Sequence, residues 1–219
     1  MIELIDRKDS TALHGRAVSR LQQMTILLLA GSPSAPSRST RLLHYTGEKL
    51  ALLGHRYSKL DVRDLPGDAL LRADFNNTLI QGALAQVAQA TAVVVATPVY
   101  KAAYSGALKA FLDLLPQFGL AGKLVLPLAT GGSQSHMLAL DYALRPVLSS
   151  LAARHVLPSI YATEAQVQWS EQEGLSLDQN IFQRINEGVQ QLSDSLLALH
   201  KVSANDFDPI PFSQVRCSV

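Results

Sequence analysis

Residues 25–40 read TILLLAGSPSAPSRST, and this stretch decides the fold predicted for the rest of the chain. Its first six residues, Thr25–Ala30, are almost wholly apolar and stop at Gly31, which is typical of a strand buried on both faces of a sheet. A loop rich in serine and proline follows, and leucines then recur at helical spacing through residues 39–53. The stretch therefore predicts a strand, a polar loop and a helix, which is the repeating unit of a parallel sheet.

The same alternation continues along the chain. Further strands are predicted at residues 56–62, 92–96, 123–129 and 156–161, and helices at residues 39–53, 79–90, 105–115, 134–153 and 178–199. Pro127 has no N–H to donate within the fourth strand, so we expect an irregular or exposed edge there. We expect Pro146 to bend or interrupt the long fourth helix. Five strands alternating with helices predict an α/β fold, a flavodoxin-like doubly wound five-stranded parallel sheet in the order 2-1-3-4-5 with helices on both faces.

Composition and net charge indicate how many domains to expect and argue against several kinds of protein. We expect one domain over residues 24–200, preceded by a polar, mobile leader at residues 1–23 and followed by a tail at residues 201–219. The 19 Lys and Arg and 18 Asp and Glu leave a net charge of +1 without basic blocks, which argues against nucleic-acid binding. One cysteine, Cys217, excludes an internal disulfide. No apolar run approaches the roughly 20 residues of a membrane span, and no secretory signal is evident, so we expect a cytoplasmic protein without membrane contact.

Ligands of doubly wound sheets bind at the carboxyl ends of the strands, near the switch point between the first and third strands. The loop after the first strand, residues 31–40, holds four serines, one threonine and Arg38 directly before a helix. The free N–H groups of a helix N-terminus, hydroxyls and a guanidinium all suit a phosphate. The loop matches neither GxGxxG nor GxxxxGK[ST]. It predicts a phosphate cradle, and a serine-rich turn with an ordinary N-cap is the alternative.

Two more loops follow the third and fourth strands. The first contains Pro98, Tyr100 and Tyr104, whose aromatic surface suits a flat heteroaromatic ring. The second contains Gly131 and Gly132, which permit close approach of a ligand and an anion-binding nest. Either loop alone could be a plain turn before a helix. Because the first, third and fourth strands are neighbours in the predicted order, the three loops line one crevice, and together they predict a mononucleotide with a flat ring, a flavin.

These segments carry a resemblance to a known family. GSPSAPSRS from Gly31, ATPVYKAAYSGALK from Ala96, LPLATGGS from Leu126 and LDYALRPVL from Leu140 closely resemble the NADPH-dependent FMN reductases of sulfonate-utilisation systems, and the resemblance runs through residues 24–199. It implies hydride transfer from NADPH to FMN. It also implies that reduced FMN leaves for a partner monooxygenase, which cleaves the carbon–sulfur bond of a sulfonate.

The resemblance also implies which residues contact FMN. They are Ser32, Ser37, Arg38 and Ser39 at the phosphate, Pro98, Val99, Tyr100 and Lys101 along the ring, and Thr130, Gly131, Gly132 and Ser133 in the second loop at the ring. Relatives often carry a basic residue where this chain has Ser34, so Arg38 would be the main charged phosphate partner and FMN would be held less firmly. Hydride transfer needs no acid or base, so we nominate no catalytic residue. The six histidines show no metal-ligand spacing, so we expect no metal.

Two other functions remain open within the same fold: a tightly FMN-bound electron carrier, and a quinone or azo reductase. The near-neutral net charge of the chain argues against the electron carrier. The choice of NADPH over NADH, and of FMN over riboflavin or FAD, is also open.

Two predicted helices with few charged residues suggest that the protein forms oligomers. Residues 102–115 and 137–151 carry few charged side chains. Apolar side chains are therefore expected to cover most of the circumference of both predicted helices; they are Leu108, Phe111, Leu112, Leu115, Leu138, Leu140, Tyr142, Leu144 and Leu148. Such an apolar patch predicts a homodimer or homotetramer. The alternative is that the C-terminal helix or the tail of the same chain covers it.

Overall fold

The computed structural model describes residues 25–204, with side chains described through residue 199. The predicted leader at residues 1–23 and the tail beyond residue 204 lie outside the described residues. Residues 201–204, assigned to the tail, are instead the end of the last helix.

Nine strands and six α-helices make up the described chain. The strands are β1 Thr25–Ala30, β2 Arg56–Asp61, β3 Ala92–Tyr100, β4 Ala103–Tyr104, β5 Leu124–Gly131, β6 His155–Val156, β7 Ile160–Thr163, β8 Val167–Ser170 and β9 Gly174–Leu177. The helices are α1 Arg38–Leu52, α2 Gly67–Leu71, α3 Thr78–Gln89, α4 Gly106–Leu112, α5 Arg145–Ser150 and α6 Gln179–Ala204. Short 3-10 turns occur at Val62–Asp64, Gln134–His136 and Glu164–Gln166, and a π-helix occurs at Leu140–Leu144.

The central sheet confirms the predicted doubly wound order. Strands β2, β1, β3 and β5 lie side by side and parallel, and the fifth position is shared by two short strands, β6 and β7, which both pair with β5. Pro127 lies opposite the break between these two strands, because β6 pairs with Leu124 and Val125 whereas β7 begins at the partner of Leu128. A residue without an N–H is tolerated at such an interruption of the ladder.

Helices cover both faces of the sheet. Side chains alternate along β1, so that Leu27 and Leu29 pack on one face and Ile26 and Leu28 on the other. The first face is covered by α2, α3, α4 and α5, and the second by α1 and α6. All residues of β5 are buried, as expected for a strand covered on both faces.

Two predicted elements are divided differently in the structure, and the short elements α2, β4, β8 and β9 were not predicted. Residues 134–153 do not form one long helix but a 3-10 turn, a π-helix and the short helix α5, in which Pro146 occupies the first turn and needs no N–H partner. The predicted strand at 156–161 is the pair β6 and β7. The antiparallel hairpin of β8 and β9, which carries Trp169, was not predicted.

The premise of the assembly prediction was also wrong in part. Seven of its nine apolar side chains lie within the core of the same chain, among them Phe111, Leu140 and Leu148. Leu138 and Tyr142 remain exposed, at 50% and 78% of their surface, and Met137 beside them is exposed at 46%. The exposed apolar surface of this segment is therefore a small cluster of three side chains, Met137, Leu138 and Tyr142.

Candidate functional site

A cleft of about 200 Å³ opens at the carboxyl ends of β1, β3 and β5. The three strands are neighbours in the sheet, so the loops that follow them meet at one edge. The cleft is lined by Ser32, Ser34, Pro36, Ser37, Arg38, Pro98, Val99, Tyr100, Thr130, Gly131, Gly132 and Glu164.

Buried hydrogen bonds fasten the first loop to the second. The Ser105 hydroxyl donates to the Gly31 carbonyl and accepts the Leu108 N–H at 3.1 Å, and so caps α4. The Ser105 N–H in turn donates to Thr97 Oγ1 at 3.0 Å. A Cβ on Gly31 would stand 2.7 Å from the Leu108 Cβ, so α4 can approach this closely only because residue 31 has no side chain. Thr97 and Ser105 thus position the cleft without lining it.

One end of the cleft is the N-terminus of α1. Ser37 caps this helix by accepting the Thr40 N–H at 3.3 Å, and its hydroxyl lies 3.0 Å from that of Ser39. The Ser32 hydroxyl accepts the Ser34 N–H at 3.2 Å, which holds the loop in a tight turn. The Thr40 hydroxyl is buried and has no hydrogen-bond partner among the described residues. Hydroxyls and helix N–H groups therefore gather at this end, where a phosphate is favoured.

Two arginines lie beside this loop, with different roles. Arg38 is the first residue of α1, and its guanidinium stands 3.4 Å from the Glu164 carboxylate, with about half of each side chain exposed. Arg63 donates to the Ser34 carbonyl at 2.9 Å. Arg38 therefore faces the cleft already paired with an anion, whereas Arg63 holds the backbone of the loop.

Another part of the cleft lining is formed by the extension of β3. The strand runs on through Pro98 and Val99 to Tyr100 and folds back into β4, with Val99 opposite Tyr104. The two turn residues between these strands, Lys101 and Ala102, have φ of 49° and 62°. Positive φ at both positions is the geometry of a two-residue hairpin turn, and it is strained for residues other than glycine or asparagine. Tyr100 stays half exposed at the cleft.

The Gly131–Gly132 turn is shaped by Tyr161 on β7. The Tyr161 hydroxyl donates to the Ser133 carbonyl at 2.6 Å, and a Cβ on Gly131 would stand only 2.3 Å from that hydroxyl oxygen. Burial raises the pKa of Tyr161, so the hydroxyl stays protonated and remains a donor. A Cβ on Gly132 would meet no atom within 4 Å, so the backbone here is open to a ligand.

Nine of the twelve residues nominated from the sequence line the cleft. The other three do not: Ser39 is buried against Ser37, Lys101 occupies the hairpin turn, and Ser133 caps the 3-10 turn that follows β5. Ser34 and Pro36, which were not nominated singly, also line the cleft from the predicted loop at residues 31–40, and Glu164 lies outside all the predicted loops. Glu164 follows β7 directly, so the rule that had placed the other loops, applied to the fifth strand, could have found it.

Within residues 25–204, no group of three or more His, Cys, Asp or Glu side chains could hold a metal ion. None of the helices in the same part of the chain is long and apolar enough to cross a membrane.

Comparison with known proteins identifies the family. The family described as NADPH-dependent FMN reductase matches residues 24–168. The chain is 50% identical over 144 residues to an FMN reductase (NADPH) of Escherichia coli, covering 66% of this chain and 75% of that protein. It is 45% identical over 187 residues to an FMN reductase (NADPH) of Pseudomonas putida, covering 85% and 92%.

A solved structure agrees with this result. The apo form of the NADH:FMN oxidoreductase EMOB superposes with a TM-score of 0.72 at 39% identity, covering 78% of this chain and 89% of that one. The family matches well over half of the chain, and two enzymes of that name are 50% and 45% identical to it. The chain belongs to the NADPH-dependent FMN reductase family.

Proposed function

We propose that this protein transfers a hydride from NADPH to FMN in the cleft at the carboxyl ends of β1, β3 and β5, and releases reduced FMN to a separate monooxygenase. As a member of its family it is an FMN reductase, with FMN and NADPH as its cofactors. One observation carries the assignment to this cleft: a helix N-terminus, a Pro-Val-Tyr segment and a Gly-Gly turn meet around one space.

The residues at the α1 end fit the phosphate of FMN. Ser32 and Ser37 supply hydroxyls, Arg38 supplies a guanidinium, and the helix supplies free N–H groups. The buried Thr40 hydroxyl in the same first turn of α1 lacks a partner among the described residues, which is unusual for a buried polar atom and favours a ligand nearby. We assign the phosphate to this end.

The lining residues from β3 fit a flat ring. Tyr100 offers aromatic surface, and Pro98 stiffens the segment that runs along the ring. FMN supplies the redox chemistry, because its ring accepts the hydride of NADPH. The backbone N–H groups around Gly131 and Gly132 stabilise the negative charge that the ring gains, since they are fixed before the reaction begins. Tyr161 positions this turn through its bond to the Ser133 carbonyl.

Weak retention of FMN suits an enzyme that hands on its product. Arg38 is half exposed and already paired with Glu164, so a bound phosphate has to compete with a carboxylate. Among the residues lining the cleft, Arg38 is the one cation and Glu164 the one anion. This balance favours release of reduced FMN over the tight binding that an electron carrier needs.

We assign the released FMN to a monooxygenase of sulfonate utilisation. The support is the resemblance of residues 96–109 to reductases of those systems. In the structure Pro98, Val99 and Tyr100 of this segment line the cleft, and the Thr97–Ser105 hydrogen bond positions them. NADPH is maintained in the cytoplasm, and we place the protein there.

We also propose that the protein is a homodimer or homotetramer. The support that remains is the exposed cluster of Met137, Leu138 and Tyr142 on a segment that includes the π-helix. An exposed apolar cluster of this kind is common at contacts between subunits.

The proposed activity is tested by a panel of electron acceptors. The purified protein is given NADPH with FMN, FAD, riboflavin or a quinone, and NADPH oxidation is followed. We expect a nearly colourless protein that oxidises NADPH fastest with FMN, and release of sulfite when a desulfonating monooxygenase and an alkanesulfonate are added. A yellow protein that retains its flavin and ignores free FMN, or one that prefers the quinone, would overturn the proposal.

A further inference from the structure

A second cleft of about 430 Å³ adjoins the first, and the mechanism above does not use it. It is lined by Pro36, Arg38, Arg41, Glu164, Gln168 and Trp169. Pro36, Arg38 and Glu164 also line the first cleft, so the two clefts are neighbours that share the Arg38–Glu164 pair. A ligand longer than a mononucleotide could therefore extend from one into the other.

The outer wall of the second cleft is a stacked pair. The Arg41 guanidinium carbon, on α1, lies 3.8 Å from the centroid of the Trp169 ring, on β8. Arg41 forms no ion pair with any residue in the described part of the chain, and 46% of the Trp169 surface is exposed. The wall thus combines an uncompensated positive charge with an open aromatic surface.

The chemistry of these side chains selects a class of ligand. Arg38 and Arg41 carry two positive charges against the single negative charge of Glu164, so the cleft favours a phosphate. The Arg41–Trp169 pair offers planar surfaces on which a purine can stack. The amide of Gln168 can hydrogen-bond the edge of a base. A simple anion would leave the aromatic wall unused, and an apolar ligand would leave the charges unused.

We propose that the second cleft binds the adenosine phosphate half of a dinucleotide whose other half reaches the first cleft, where the nicotinamide of NADPH would lie against the bound FMN. This inference rests on the proposed function, in which NADPH is that dinucleotide. The 2′-phosphate of NADPH, which NADH lacks, would then meet Arg41, and this contact would favour NADPH. FAD presents the same adenosine phosphate chemistry beyond its FMN half, so the experiment distinguishes the two sources.

The first arm of the experiment measures binding without turnover. Trp169 is the only tryptophan in the chain, so its fluorescence reports occupancy of this cleft. The protein is titrated with adenosine 2′,5′-bisphosphate and with AMP, and calorimetry provides a second readout. We expect saturable binding, and a Kd raised about tenfold in Arg41→Gln. Arg72→Gln is the matched control, because Arg72 is an exposed arginine on the C-terminal side of α2, paired with Asp68, and should leave the Kd unchanged.

The second arm identifies the source. If NADPH occupies the cleft, Arg41→Gln raises the KM for NADPH about tenfold and leaves kcat and the KM for NADH unchanged. In that case adenosine 2′,5′-bisphosphate also binds more tightly than AMP. If FAD occupies it, Arg41→Gln weakens FAD and leaves the KM for NADPH unchanged. Either result supports the inference, provided that the melting temperature of the variant matches the parent's.

The result that overturns the inference is distinct from failure of the proposed function. If neither nucleotide binds up to millimolar concentrations, or if Arg41→Gln binds both as the parent does, then the stacked pair only anchors the hairpin. Turnover of NADPH with FMN would persist in that case. Conversely, nucleotide binding without any turnover would overturn the proposed reaction and leave the second cleft intact.

Discussion

Replacing either member of the Arg38–Glu164 pair should change FMN affinity, and the two changes should have opposite signs. In Arg38→Ala the cleft loses its one lining cation and the charge-assisted hydrogen bond that this cation gives a phosphate. Such bonds contribute about 1.5–3 kcal/mol. Because 49% of the Arg38 side chain is exposed, we take the lower end of that range, which corresponds to roughly a tenfold increase in the Kd of FMN.

Glu164→Gln should tighten FMN binding instead. It frees Arg38 from an exposed ion pair worth about 0.2–1 kcal/mol, and it removes a negative charge beside the phosphate. The Kd should fall by at most about fivefold. In the double variant the gain from Glu164→Gln should shrink, because the two side chains act on each other.

Flavin fluorescence titration with FMN and with riboflavin, which lacks the phosphate, separates recognition of the phosphate from general damage. Riboflavin affinity should barely change in any of these variants. Equal losses of FMN and riboflavin affinity in Arg38→Ala would refute the phosphate assignment. A weaker Kd for FMN in Glu164→Gln would show that Glu164 binds the ligand rather than competing with it.

Three further predictions concern stability and assembly. Gly131→Ala should cost about 1–3 kcal/mol in thermal unfolding, because its Cβ would meet the Tyr161 hydroxyl. Adding Tyr161→Phe should recover only part of the loss, because Cζ still stands 3.2 Å from that Cβ and the bond to Ser133 is lost; an unchanged melting temperature for Gly131→Ala contradicts this. Burial lowers the pKa of His55, whose Nε2 lies 2.8 Å from Ser193 Oγ. The unfolded chain therefore binds a proton at this histidine at a higher pH than the folded chain does, so the free energy of unfolding should fall as the pH drops below about 6.5. His55→Gln should flatten that part of the curve, and an equal pH dependence in both proteins would disprove the assignment. Tyr142→Asp should shift sedimentation toward smaller species, and a parent protein that is already monomeric at micromolar concentration would end the assembly proposal.

The sheet and the three loops could be predicted because their signals are local. The apolar run of β1 and the polar loop after it are contiguous in the chain, and the carboxyl-end rule then places the cleft. The network that fastens the loops could not be predicted in the same way. The Ser105–Gly31 hydrogen bond joins residues 74 positions apart, and the sequence around each gives no sign of the other.

The errors have physical causes as well. Leu140, Leu144 and Leu148 follow one another at helical spacing, so they form one stripe that faces the core rather than a patch that faces solvent. The hairpin of β8 and β9 was missed because its strands are short and polar and its tryptophan is half exposed. A cation–π contact between distant elements, such as that of Arg41 with Trp169, leaves no periodic trace in a sequence.

Reduction of excess FMN under anaerobic conditions tests the central claim most directly. A small amount of purified protein is mixed with NADPH and a large molar excess of FMN, and the flavin absorbance is followed with time. The account predicts that each chain bleaches many equivalents of FMN and that one NADPH is consumed for each. Bleaching that stops after one equivalent per chain, or no consumption of NADPH, would contradict it.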